Sequence, residues 1–188
     1  MDFPSSATLG ENIVDSRTEY DEYYYDDIYV GYRYFDTFNV DPAYEFGYGL
    51  SYTTFDQKIV GFSADADTVT VGVQVKNTGD TYSGKEVVEV YFSAPDGELE
   101  KPYQELAAYG KTDMLAPYGK TDMLAPGESQ IVTVTFNTDE MSSYDETKAA
   151  YVLEDGDYIV RAGNSSRNTH VAGVINLNED TITEQLSN

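Results

Sequence analysis

The chain lacks cysteine and tryptophan, holds a single histidine, and has 11 basic residues against 34 acidic ones. Without cysteine there is no disulfide, no thiolate metal site and no cysteine nucleophile. Most histidine-based metal and triad schemes need more than His170 alone. The formal charge of -23 repels nucleic acid, an anionic membrane surface and polyphosphate, so no such partner is expected. No apolar run approaches the roughly eighteen residues of a membrane span. The opening MDFPSSATLGENI has no basic region followed by an apolar stretch, so it does not read as a signal peptide, and the compartment stays open. With 188 residues the chain holds one domain and an appendage, or two small domains. It is too short for a (β/α)₈ barrel of about 250 residues. No Walker loop, dinucleotide fingerprint or zinc motif occurs, and no cofactor or metal is expected.

What the chain does have is tyrosine, 18 of them with 8 phenylalanines, crowded into the first quarter. Tyrosine suits packed seams that keep one edge wet, and a disordered acidic segment is normally poor in aromatics. The leader is therefore expected to dock on something. Within it, IYVGYRYFD (28–36) reads as a short strand or extended packing segment. Asp41-Pro42 signals a turn, and Gly47 and Gly49 signal tight bends.

From residue 57 the pattern becomes that of strands. Segment 68–76 alternates most clearly, with Val69, Val71, Val73 and Val75 on one face. Further strands are read at 57–62, 86–93, 103–111, 130–137, 158–162 and 169–177, with 150–153 extended and 142–150 irregular or briefly helical. About seven strands separated by turn signals make an all-β, antiparallel sandwich of the immunoglobulin/fibronectin type III kind, preceded by an irregular linker.

One repeat stands out. YGKTDMLAP at 109–117 recurs at 118–126. Nine is odd, so two copies in one strand would flip its faces, and each copy ends in proline, which blocks a central ladder. One copy is expected to continue the fourth strand and the other to form a surface loop.

Candidate chemistry is sparse. His170 has no nucleophile or carboxylate signalled beside it. Asp65 with Asp67, and Asp155 with Asp157, offer oxygen ligands but no EF-hand spacing, and read as acidic turns. Tyr23, Tyr24 and Tyr25 fit either sugar stacking or packing against a neighbouring domain. Asn164-Ser165-Ser166 meets the glycosylation sequon.

These segments together carry a resemblance. IYVGYRYFD and FGYGLSYTTF (46–55), then VKNTGDTYSGKEVVEVYFSAP (75–95), PYQELAAYGKT (102–112), LAPGES (124–129) and GDYIVRAGNSSRN (156–168), resemble the C-terminal region of family 3 glycoside hydrolases, the β-glucosidase group. The resemblance implies that residues 1–55 are the end of an α/β sandwich domain and its linker. It makes 56–178 a fibronectin type III-like domain, and leaves 179–188 as a tail. It implies retaining chemistry on β-linked glucosides for a whole enzyme whose nucleophile and acid/base lie in other domains, so no catalytic residue is carried over. The implied role is non-catalytic and stabilising. The implied partners are the catalytic domains, in the same parent chain or encoded separately. Tyr29, Tyr32, Tyr34, Phe35, Phe46, Tyr48 and Tyr52 are the interdomain packing candidates. Left uncovered, they favour weak self-association and a mobile stretch over the first 40 residues. Two rivals stay open: a free-standing sandwich that binds glycan or protein, and a small hydrolase.

Overall fold

A computed structural model describes residues 25–112 and 124–186. The chain order is helix α1 (Tyr32–Thr37), then strands β1 (Phe55–Ala64), β2 (Thr68–Asn77), β3 (Val87–Ser93), β4 (Glu105–Lys111) and β5 (Ser129–Asn137). A 3₁₀ turn (Thr138–Met141) leads to β6 (Ser143–Asp145), β7 (Ala150–Leu153), β8 (Gly156–Ser165), β9 (Asn168–Leu177) and β10 (Thr181–Gln185). All ladders are antiparallel.

Two sheets face each other, ordered β1-β2-β5 and β4-β3-β8-β9. The alternating valines are the reason. Val69, Val71, Val73 and Val75 of β2 point inward with Val132, Val134 and Phe136 of β5. Opposite them stand Val88, Val90 and Phe92 of β3, and Tyr158, Val160 and Ala162 of β8. Each inward position removes roughly 1.5–3 kcal/mol worth of apolar side chain from water. The seven strands read from the sequence are the seven of this sandwich.

Three further strands were not among them. β6, β7 and β10 form a small sheet ordered β10-β7-β6. Residues 179–188, read as a tail, thus contain a strand that pairs with β7, with Ile182 opposite Val152. Segment 142–150 is likewise β6 and a turn, which Asp145 braces by accepting from Thr147 N at 2.9 Å and Lys148 N at 3.1 Å.

The leader departs from its reading too. Residues 32–37 are helical where an extended segment was expected. Gly31 (φ 62°) turns the chain into the helix, and Asn39 (φ 51°) ends it, with Val40 N donating to Phe35 O at 2.9 Å in a Schellman closure. Aromatic strand preference is weak where packing decides otherwise. Here Tyr32 lies on Tyr91, ring centroids 5.9 Å apart, and its hydroxyl accepts from Leu106 N of edge strand β4 at 2.7 Å.

The duplicated nonapeptide is shared between two places. Tyr109–Lys111 of the first copy end β4, and Thr112 closes it: Thr112 N donates to Glu86 O, and Glu86 N donates to Thr112 Oγ1, both 2.9 Å. Leu124 of the second copy exchanges backbone hydrogen bonds with Gly84, at 3.0 and 3.1 Å. Local chemistry selects each copy. Ala108 precedes the first and keeps its N–H, whereas Pro117 precedes the second. Gly127 follows the second at φ 82°, whereas Tyr118 follows the first. The surface loop expected of the other residues lies outside the described ones. Deleting residues 113–121 should keep both anchors and leave the unfolding free energy unchanged or higher by up to about 1.5 kcal/mol, as loop closure scales. Urea denaturation of the deletion variant checks this, and a loss of stability would contradict it.

Candidate functional site

The aromatic leader meets this chain's own sandwich. On β3 the residues between the core valines, Glu89 and Tyr91, point to the outer face, yet both are buried. The leader covers them. Tyr32 packs on Tyr91, and Gly47 (φ 85°) sits so close to the Glu89 carboxylate that a Cβ there would meet Oε2 at 2.3 Å. Tyr91 donates to Glu89 Oε2 at 2.6 Å. Burial raises the pKa of Glu89, and the Tyr91 bond partly offsets it. Burial likewise raises Glu105, against the pull of Arg33 at 3.0 Å.

Arg167 clamps the leader to the β8–β9 turn. Its Nε donates to Asp36 Oδ1 at 2.9 Å and its Nη1 to Asp41 Oδ1 at 3.1 Å. Its Nη2 donates to Phe35 O at 3.1 Å and Val40 O at 2.6 Å. The acceptors raise its pKa, Asp36 foremost. Tyr29 donates to Glu100 Oε1 at 2.7 Å, and that bond is the main reason its pKa is raised to about 12. Tyr29, Tyr32, Tyr34 and Phe35 are therefore half-buried against their own chain. These contacts engage the leader from Tyr29 to Asp41.

The remaining candidates behave differently. Phe46, Tyr48 and Tyr52 belong to a strip, 46–55, that carries no charged residue in a chain of net charge -23. It is pinned at both ends. Ser166 N donates to Phe46 O at 2.9 Å, and Thr53 Oγ1 donates to Asn77 Oδ1 at 2.6 Å. Between the pins the side chains stand in solvent: Tyr48 is 48% exposed, Leu50 90% and Tyr52 92%. Tyr44 stacks on Tyr48 at 4.9 Å, and Tyr82 flanks Tyr52 at 6.3 Å. Beside the strip, Tyr32, Phe35, Pro42, Tyr44 and Phe46 wall an apolar hollow of about 250 Å³.

Other sequence candidates resolve into structural parts. Asp65 Oδ1 accepts from Asp67 N at 2.9 Å and Thr68 N at 2.8 Å; these backbone bonds lower its pKa. Asp155 N donates to Asp180 Oδ1, while Asp157 Oδ1 accepts from Asn176 Nδ2. His170 is an exposed β9 residue paired across from Ala162. Tyr25 is exposed, and Tyr23 and Tyr24 lie outside the described residues. Asn164 of the sequon is engaged on both ends of its amide, by Glu86 and Asn168, with Ser165 and Ser166 buried beside it. Among the described residues no group of three or more His, Asp or Glu is placed to hold a metal ion.

Sequence reasoning passed over two residues. Asn77, fully buried, donates to Tyr82 O and Leu124 O and accepts from Thr53 and Gly79, tying the strip, a turn and the second nonapeptide copy together. Glu154 is buried with Lys101. Their partners are distant in sequence, so no local signal marks them.

Comparison with known proteins fits this geometry. A family model for the fibronectin type III-like domain matches residues 114–166. Beta-glucosidase A of Butyrivibrio fibrisolvens is 40% identical over the whole of this chain, which covers 23% of that protein. Among solved structures, β-glucosidase 3B from Thermotoga neapolitana superposes with a TM-score of 0.75 at 44% identity, over 86% of this chain and 21% of that one. A β-glucosidase from Paenibacillus barengoltzii superposes at 0.79 and 42% identity, over 89% and 19%. The chain thus spans about a fifth of the length of these relatives. It belongs with the fibronectin type III-like domains of β-glucosidase-like proteins of glycoside hydrolase family 3.

Proposed function

We propose that this chain is the non-catalytic, stabilising part of a β-glucosidase-like glycoside hydrolase, and that strip 46–55 is where it packs on the catalytic domains. The division into a leader up to residue 55 and a sandwich body to residue 178 belongs to the same proposal. The observation that carries it is the uncharged, exposed row Tyr48, Leu50 and Tyr52, held at both ends by hydrogen bonds. A contiguous apolar patch of this kind marks an interface, and tyrosine is favoured at the buried centre of one. Retaining hydrolysis needs two carboxyls about 5 Å apart across a sugar subsite. Glu89 is covered by Gly47, and Glu154 is spent on Lys101 and two backbone amides, so neither buried glutamate faces a subsite.

The test is to put this chain in place of the matching segment of the Thermotoga neapolitana β-glucosidase 3B, and to compare the joined protein with its Leu50→Asp plus Tyr52→Asp variant. The isolated chain should leave a chromogenic β-glucoside intact. The double variant should lower the melting temperature of the joined protein and leave that of the isolated chain unchanged. Hydrolysis by the isolated chain, or an unchanged joined protein, would refute the proposal.

A further inference from the structure

Glu89 is a buried carboxylate, 7% exposed, and among the described residues no cation is paired with it. Its hydrogen-bond donor there is the Tyr91 hydroxyl at 2.6 Å. Glu154, buried as deeply, has Lys101 and the amides of Glu98 and Leu99 to neutralise it. The groups that face Glu89 supply no such help. On its own strand Glu86 adds like charge, and Lys111, opposite Val87, acts on Glu86 instead. Tyr109 of β4 and Gly163 of β8 stand across from Glu89. Arg161 of β8, opposite Tyr91, stacks on Tyr103. From the leader come Tyr32 and Asp36, which act on Tyr91, and Glu45, whose Oε1 accepts from Ser165 Oγ at 3.3 Å. Arg33, the leader's nearest cation, is paired with Glu105.

A neutral carboxyl can rest in such a place. An ionised one needs further donors, from protein or from water. The cover shuts water out: Gly47 lies so close that even a Cβ there would fall 2.6 Å from Oε1. This seat is also where strip 46–55 begins. Ser166, 4% exposed, donates its N–H to Phe46 O at 2.9 Å, one residue before Gly47. Just beyond, Tyr48, Gly49 and Leu50 stand in solvent. Gly47 (φ 85°) and Gly49 let the backbone pivot. Hydrating an ionised Glu89 therefore means moving residues 46–50 off it.

We infer that Glu89 is a pH-sensitive latch for the start of the strip: its neutral carboxyl seats residues 46–50 on β3, and its ionisation loosens them. The sign follows from linkage. Burial raises the pKa of the seated Glu89, the Tyr91 bond offsets part of the rise, and Glu86 adds to it. Once the strip lifts, the group returns to the ordinary glutamate range. The seat is firm below that range. Opening grows by up to about tenfold per pH unit between that range and the raised value, one proton's worth, and then levels off. The inference concerns the seat alone and stands whether or not the strip packs on catalytic domains.

Nuclear magnetic resonance of the full chain from about pH 4 to about pH 8 tests it. The Glu89 carboxyl carbon and the amides of Gly47, Tyr48 and Gly49 should shift together, with one midpoint above the ordinary glutamate value of about 4.3. Exchange of the Ser166 amide, corrected for its intrinsic pH dependence, should speed up over the same interval, while exchange of the core amides of Val73 and Val160 does not. Glu89→Gln, neutral at every pH, should abolish both effects and keep the slow Ser166 rate throughout, with the core amides as protected as before. A Glu89 midpoint in the ordinary range, strip amides that do not follow Glu89, or a pH effect that survives Glu89→Gln would each overturn the inference.

Discussion

Glu154→Ala is expected to destabilise the domain by about 3–5 kcal/mol, the range for removing one partner of a buried ion pair. Glu154 lies at the β7–β8 turn and is 5% exposed. Its carboxylate meets the Lys101 ammonium, and the two side chains are 6% and 7% exposed. It also accepts from Glu98 N at 2.6 Å and from Leu99 N at 3.3 Å. The loop from Ser93 to Gln104 is therefore wrapped around one carboxylate, closely enough that a Cβ on Gly97 would meet Glu154 Oε1 at 2.5 Å. Truncation leaves a buried lysine with only Leu99 O as a partner at 3.3 Å, and two amides without an acceptor. For a chain of this size the midpoint of thermal unfolding should fall by about 10 °C. Glu154→Gln with Lys101→Met should recover much of the loss, because the pair is removed together and the amide oxygen still accepts from the loop. If the double variant is as unstable as Glu154→Ala, the ion pair is not what holds the loop.

The sandwich was readable because its strands alternate. Where valine recurs every second residue, as in 69–75, one face must be buried, and the register follows. Phe46, Tyr48 and Tyr52 of strip 46–55 were named only through the family resemblance that FGYGLSYTTF carries; from the residues alone that segment reads as tight bends. The small sheet was hidden. β6 has three residues, and four of the five residues of β10 are exposed, so neither shows a buried face to a pattern search. Helix α1 was hidden because tertiary contacts choose its conformation: Tyr32 meets Tyr91 and the β4 edge, residues far away in sequence. The outward Glu89 and Tyr91 looked like ordinary surface positions of a half-wet strand. Only the leader lying over them explains why all five positions from Val88 to Phe92 are buried.

That cover leads to the second large effect. A chain beginning at Ser51 should lose at least about 3 kcal/mol of stability, although it keeps every core strand. Fully exposing the Tyr91 ring alone accounts for roughly 1.5–3 kcal/mol. The Leu106 amide loses the Tyr32 hydroxyl, and Gln104 and Arg167 lose Asp36, for about 1 kcal/mol each in net terms. Acidity supplies an independent readout. Glu89 and Glu105 have pKa values raised by burial, so the folded chain holds protons that the unfolded chain releases. That contribution is fully present below the ordinary glutamate range and is lost as pH rises through the raised values. Removing the leader opens Glu89 to water, so the Glu89 part of this pH dependence should flatten in the truncated chain, while Glu105, losing the lowering pull of Arg33, works against that flattening. Urea midpoints of both chains at pH 5 and pH 7 measure the two effects together. Equal midpoints with equal pH slopes would make the leader a passive tether and place the domain's true edge at β1.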